Sequence, residues 1–251
     1  MAASIHYIYC EEGAVSMAKG APKVTLIDTI YSNIRRDITM RILQPGQRIN
    51  IKELSERYGT SLTPIKLALN RLVSERIIEN FPRQGMVVRS ASVQEVGEIF
   101  DMRLMLYLNC MDKIITTVNY NKDLHDELKS NVEEHMRVIE SLTPDSPVDE
   151  YIKNYQLDYL FHKTYLKCSG CKKILELYDF LNPFLYTNYI FRRQSKEKDL
   201  AGVHEHSMIL DAIESEDEEK LKQALELHIY HAKIAVGLIL KVDEIAMDQI
   251  V

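Results

Sequence analysis

The sequence predicts a mainly α-helical fold in two parts, a short basic unit closed by one β-hairpin and a longer acidic bundle of helices. Three observations carry that prediction. The chain has 251 residues, above the common size of one domain, with only nine Gly, seven Pro and no Trp, too few turn residues for an all-β design. Apolar residues recur at three- and four-residue steps through most of its length. The charge is also divided. Between Ala21 and Ser92, twelve Lys and Arg stand against six Asp and Glu, a balance of +6, whereas nineteen basic and thirty-one acidic residues elsewhere leave −12. The net charge of −6 averages over that division and hides a face suited to a phosphate backbone.

No apolar run reaches the roughly 18 residues of a membrane span, and the first residues lack the basic-then-apolar order of a signal peptide. Cys10, Cys110, Cys168 and Cys171 are too few and too scattered for a disulfide framework. A cytoplasmic chain without membrane contact is the expectation. Residues 1–22 carry Gly13, Gly20 and Pro22 without a sustained period and read as a disordered leader, with Met17 a second candidate start.

Thr25-Leu-Ile-Asp28 has the spacing of a capping box and opens the first helix. Leu26, Ile27, Ile30, Ile34, Ile38 and Ile42 form its apolar stripe, and Gln44-Pro45-Gly46-Gln47 ends it. Asn50 and Glu53 repeat the cap spacing before a short helix through Tyr58, with Leu54 inward and Gly59 at the turn. Ser61-Leu62-Thr63-Pro64 opens another helix, hydroxyls capping it and Pro tolerated in the first turn. Its buried side is Ile65, Ala68, Leu69 and Leu72; Leu62, Thr63, Lys66 and Asn70 lie on the outer one. Residues 77–81 and 86–89 read as two strands around the basic tip Pro82-Arg83-Gln84-Gly85. Two helices joined by a tight turn, then a hairpin, make a winged helix-turn-helix over residues 23–92, whose second helix suits the major groove.

Pro45-Gly46-Gln47-Arg48-Ile49, Glu53-Leu54-Ser55, the run Ser61 to Leu72 and Arg83-Gln84-Gly85 together resemble the DNA-binding domain of GntR-family bacterial transcription regulators, across about 65 residues. The resemblance implies phosphate contact at Lys52 with Arg48 nearby, groove contacts from Ser61, Thr63 and Lys66, and minor-groove approach by Arg83 and Gly85. Three positions depart from the family pattern. Leu62 and Lys66 stand where Arg is usual, and Leu67 stands where Glu is usual. Leu62 cannot bond guanine but can touch a thymine methyl, and Lys66 lacks the planar fork of Arg. An operator different from the family's common one follows.

From Val93 the pattern is helical, in six segments: 93–118, 121–142, 149–167, 171–194, 200–215 and 217–242, with Thr143-Pro144-Asp145-Ser146-Pro147 as a loop and 243–251 as a tail. Neither a Gly-rich phosphate loop nor a Gly-x-Ser-x-Gly nucleophile motif occurs. His125 and His135 lie among charged residues and are assigned to an exposed helix side. Asp158 and His162 are four apart and share one helix face. His206 and His228 belong to two later helices, His228 on an apolar face. Three imidazoles and a carboxylate suit a divalent ion, zinc first, with nickel and manganese as alternatives, and bundles build metal sites from inward side chains. On spacing alone, each His reads more readily as a satisfied core residue than as a ligand. His204 and His231 are second-choice ligands.

Asp158-x-x-x-His162, Glu205-His206-x-x-Ile209-x-x-Ala212-Ile213 and Leu225-x-x-His228 resemble the ligand motifs of the FCD domain, the all-helical effector domain of one GntR branch, over roughly residues 93–235. This resemblance implies that Asp158, His162, His206 and His228 bind a metal with open positions for a small carboxylate. Arg103 matches an Arg early in the family's first effector helix and reads as either a pocket cation or a salt-bridge residue at the domain junction. Tyr107 replaces the acidic residue usually found four positions later. Tyr155, Tyr159, Tyr165, Tyr186 and Asn188 offer effector contacts, with Tyr159 and Asn188 the chosen pair. Cys168-Ser-Gly-Cys171 has redox spacing, yet reads better as incidental turn cysteines.

The combined reading is a homodimeric, DNA-binding transcription regulator controlled by a small organic acid at the bundle's metal, with repression relieved by the effector as the family's commoner arrangement. Competing readings are a metal-dependent hydrolase or oxygenase using the His/Asp site, and an effector-independent DNA-binding dimer.

Overall fold

The computed structural model describes residues 24–181 and 193–248. The leader read at 1–22, and Tyr186 and Asn188, lie outside the described residues. The chain divides after Ser90 into two compact units.

The first unit contains α1 (Leu26–Thr39), α2 (Ile51–Arg57), α3 (Leu62–Ser74), β1 (Ile78–Phe81) and β2 (Gly85–Val88). Thr25 and Asp28 form the reciprocal capping box. Helix α1 ends earlier than the apolar stripe suggested: Arg41 takes a left-handed φ of 56°, which turns the chain before Pro45. Ile42 is therefore 50% exposed, and Leu43 goes inward instead. Ile34, Ile65, Leu69 and Leu72 are fully buried and knit α1 to α3; truncating one such Leu to Ala costs about 2–5 kcal/mol. Asn50 caps α2 through the N–H groups of Lys52 and Glu53, and Gly59 turns the chain at φ 60°, a conformation that favours glycine.

The hairpin is antiparallel, running from Ile78↔Val88 to Phe81↔Gly85. Residues 46–49 pair against β2 as well: Val88 N–H donates to Gln47 at 2.9 Å, Ile49 N–H to Met86 at 2.8 Å, and Arg48 bridges Val87. The Pro45-Gly46-Gln47 segment is therefore more than a helix stop, since it ties the wing to the three-helix core.

The second unit contains α4 (Val93–Leu108), α5 (Met111–Tyr120), α6 (Lys122–Ser141), α7 (Val148–Lys167), α8 (Lys172–Leu181), α9 (Lys196–Glu214) and α10 (Glu218–Asp248). The helix expected over 93–118 is two helices. Cys110, at φ −115° and ψ 0°, leaves helical geometry, and no Pro or Gly marks the place. Helix α10 runs past the expected end at 242 to Asp248, while Ser195 caps α9 through Lys198 N–H, so that helix starts before residue 200. Helices α4 and α9 pack on α10, and α7 and α9 pack on α6, around a core that includes Val96, Phe100, Ile114, Leu128, Phe161, Ile209 and Leu225. Among the described residues no helix is long and apolar enough to cross a membrane.

Candidate functional site

In the first unit, the cations fall into two groups. Arg35 pairs with Glu75, Arg57 with Asp37 and Arg71 with Asp28. By contrast, Arg48, Lys52, Lys66 and Arg83 are exposed and make no ion pair among the described residues. Charges left free in this way are available to phosphates. At the start of α3, Ser61, Leu62 and Thr63 are also exposed. Ser61 occupies the N-cap position, but its hydroxyl makes no cap bond, contrary to the expected capping role. The hydroxyl is left open to an outside partner. At the wing tip, Arg83 and Gly85 take φ 66° and 89°, which turns the hairpin sharply.

The second unit gathers Asp158 and His162 of α7, His206 of α9 and His228 of α10. One ligand atom from each lies within 4.8 Å of the others. Asp158 Oδ1 is 3.8 Å from His162 Nε2 and 3.6 Å from His206 Nε2, and the Nε2 atoms of His162 and His228 are 3.1 Å apart. A tetrahedral ion with bonds near 2.1 Å holds its ligand atoms roughly 3.4 Å apart, a value that these three separations bracket. The helical period explains the pairing on α7, where a four-residue step brings Asp158 under His162.

The donor chemistry fits a metal as well. His206 is fully buried, yet neither ring nitrogen has a hydrogen-bond partner. Buried polar atoms are rarely left so. Burial pushes the imidazoles of His162 and His206 well below the usual range, with the Arg103 charge adding to this for both. Neutral imidazole is the form that binds a metal. Glu205, absent from the expected ligand set, supports His228: its Oε2 is 2.9 Å from His228 Nδ1, and its Oε1 is 2.6 Å from His231 Nδ1. That contact places the proton of His228 on Nδ1 and leaves Nε2 as a lone pair. His231 thus stands behind the cluster rather than in it, and His204 is exposed.

A cavity of about 350 Å³ opens beside the cluster, lined among others by Arg103, His135, Asn154, Asp158, His162 and His228. Arg103 lies in the cavity wall. Its guanidinium is buried and donates from Nε and Nη2 to the Tyr107 hydroxyl at 3.2 and 3.1 Å, with no ion pair among the described residues. Tyr107 lies parallel to the His162 ring, centroids 5.4 Å apart. The residue that departs from the family pattern therefore seats Arg103 against the cluster.

Tyr159 does not line this cavity. Its hydroxyl donates to Asp179 at 2.8 Å and accepts from Lys163 at 3.2 Å, so a polar cluster between α7 and α8 engages it instead. The chosen Asn188 lies outside the described residues. Tyr155 does reach the cavity wall, whereas Tyr165 bonds the Tyr107 carbonyl. His135, assigned to an exposed side, is 3% exposed and lines the cavity. Leu128, Val132 and Ile139 share its stripe, a signal that its charged neighbours mask. Cys168 is buried, and burial pushes its thiol up to about 12, the opposite of a reactive thiolate.

Comparison with known proteins agrees with this architecture. Residues 26–88 match the family described as bacterial regulatory proteins, gntR family, and residues 98–231 match the FCD domain. The gluconate operon transcriptional repressor of Bacillus licheniformis is 25% identical over 201 residues, 78% of this chain and 79% of that protein. A solved structure of Escherichia coli McbR/YncC superposes with a TM-score of 0.62 at 20% identity, covering 85% of this chain and 98% of that one. One of Lar, which controls expression of the Listeria monocytogenes agr system, gives 0.60 at 13% identity over 86% and 98%. The hydrolase or oxygenase reading is set aside by these relatives. With a winged reader at one end and an FCD bundle at the other, the chain belongs to the gntR family of bacterial regulatory proteins and is a transcription regulator.

Proposed function

We propose that the operator affinity of this regulator is set by a small carboxylate that binds beside a divalent metal in the FCD bundle. Asp158, His162, His206 and His228 would hold the ion, with Glu205 keeping His228 in the right tautomer. The observation that carries this reading is His206, whose two buried nitrogens lack any partner in a cluster of three imidazoles and one carboxylate. Neutral nitrogen donors with one carboxylate suit zinc best, ahead of nickel and manganese. When bound, the ion supplies positive charge and open positions for a carboxylate oxygen. Arg103, already positioned by Tyr107, supplies a second positive contact from the cavity wall.

The reader would use Lys66, Thr63, Ser61 and Leu62 from α3 in the major groove, Lys52 and Arg48 on phosphates, and Arg83 with Gly85 at the wing. A homodimer would present two such readers to a near-palindromic operator. Ligand binding changes DNA affinity only if it favours one arrangement of the protein. Repression relieved by the effector fits relatives that are named repressors. Elemental analysis of the purified chain, with Asp158→Ala and His206→Ala beside it, tests the centre. About one divalent ion per chain, lost in both variants, supports the reading; metal content equal in all three removes it. An effector-independent dimer would show no change in operator affinity with any carboxylate.

A further inference from the structure

Arg103 and Asp199 line the same cavity, and neither has a countercharge among the described residues. No hydrogen bond or ion pair joins them. Asp199, in the first turn of α9, is part-buried and accepts only from neutral amides: Gln194 Nε2 at 2.8 Å and Asn154 Nδ2 at 3.2 Å. The neighbouring Lys198 also lines the cavity but is exposed and forms no ion pair with Asp199. Carboxylates so enclosed are normally paired with a cation.

The groups around Asp199 extend the pattern. Asn154 Oδ1 lies 2.7 Å from His135 Nε2 and can only accept, so the proton of His135 sits on Nε2. His135 Nδ1 is then a lone pair, buried and without a partner, on a ring that also lines the cavity. The amide donors of Gln194 and Asn154 are turned toward Asp199. Asp199 and His135 thus offer the cavity two acceptors, a carboxylate and an imidazole nitrogen, beside the exposed Lys198. The cavity wall also carries the Arg103 guanidinium and, on the reading above, a divalent ion offset by Asp158.

We infer that the effector is a small carboxylate carrying an amino group at its far end, the carboxylate meeting Arg103 and the ammonium meeting Asp199. This rests on the metal–carboxylate reading of the same cavity. An ammonium brings three donors and a positive charge, and a charge-assisted bond is about twice as strong as a neutral one. A hydroxyl would satisfy the acceptors but leave Asp199 without a countercharge once it ionises. Arg103 and Asp199 form no ion pair with each other, so a ligand carrying both charges can answer both, and a series of chain lengths reads their separation.

Calorimetric titration of the metal-loaded full chain above pH 7, where the Asp199 carboxyl is ionised, decides the matter. Butyrate, valerate and hexanoate serve as probes, each beside its ω-amino counterpart, with gluconate as the polyhydroxy arm. At the best-fitting length the amino form should bind roughly tenfold tighter than the plain acid, and Asp199→Asn should abolish that difference. Because the wild-type comparison needs no variant, it stands even if Asp199→Asn folds poorly. Equal affinity for both members of every pair, tightest binding by gluconate, or an amino advantage that persists in Asp199→Asn each overturns the inference alone. No binding of any carboxylate overturns the underlying metal–carboxylate reading too.

Discussion

His228 Nδ1 lies 2.9 Å from Glu205 Oε2, so a residue of α9 dictates which nitrogen of an α10 imidazole faces the cavity. Glu205 and His206 are adjacent in sequence, and on α9 both are buried. The same turn of helix thus furnishes a candidate ligand and the support for another.

Supports of this kind typically contribute ten- to a hundredfold to metal affinity. Glu205→Gln should weaken zinc binding by about that factor without unfolding the bundle, as measured by competition with a chromogenic chelator. An unchanged dissociation constant would show that His228 needs no such orientation.

Metal removal should separate the two activities. Stripped protein should lose about tenfold or more in carboxylate affinity while operator affinity without effector changes less than about twofold. Fluorescence anisotropy of labelled operator, alongside ligand titration, reads both. A parallel loss of DNA binding would place the ion in a purely structural role.

The free cations of the winged unit predict the response to charge removal. Lys66→Ala should cost about 1–3 kcal/mol in operator binding if it meets a base edge, and Arg83→Ala should mainly lower the salt slope. Raising salt from about 50 to 200 mM should weaken wild-type binding by more than about tenfold. A flat salt response would contradict a phosphate-tracking face.

Glu75 gathers Tyr31, Arg35 and Arg71, the last lying 4.1 Å over the Tyr31 ring. Removing the carboxylate leaves the buried Arg35 poorly compensated, so Glu75→Ala should destabilise the winged unit by about 3 kcal/mol. Urea unfolding followed by circular dichroism checks this; a midpoint shift equivalent to under about 0.5 kcal/mol would argue that the network is solvated.

Asp199 gives a pH signature in metal-stripped protein. Burial is the main reason its carboxyl rises from 3.8 to about 7, with the Asp158 charge adding to it against the Gln194 and Asn154 hydrogen bonds. Between those values the folded chain keeps a proton that the unfolded chain has released, so stability declines as pH rises toward about 7 and then levels off. Asp158 on α7 is the charged group acting on it, Lys198 makes no pair with it, and His135 reaches it only through Asn154. Asp199→Asn should therefore raise the melting temperature above pH 7, the gain fading toward pH 4 (about the unfolded pKa). A gain of equal size at both ends would mean that Asp199 does not titrate in this range.

Much of the cluster was legible because helices have a fixed period: the i, i+4 step fixed Asp158 against His162, and the FCD motifs supplied His206 and His228. What sequence could not give was context for single polar residues. His135 sits among Glu133, Glu134 and Arg137, so local charge suggested an exposed side, while its i−3 and i−7 partners Val132 and Leu128 were the truer guide. Glu205 carried no role until α10 brought His228 to it across 23 positions. Tyr159 had a suitable hydroxyl, but the pairing with Asp179 depends on how α8 packs on α7. In the reader, Ile42 fitted the stripe of α1, and only the left-handed turn at Arg41 took it out.

Arg83 holds a left-handed backbone that glycine adopts freely and other residues adopt at about 1 kcal/mol or more. A glycine there would make a calmer hairpin, yet it would also strip the wing tip of a guanidinium that makes no ion pair among the described residues. On the proposed reading, thermal robustness and grip on the operator therefore pull against each other at a single position. Selection of this regulator for heat tolerance should drift toward a firmer but less adhesive wing.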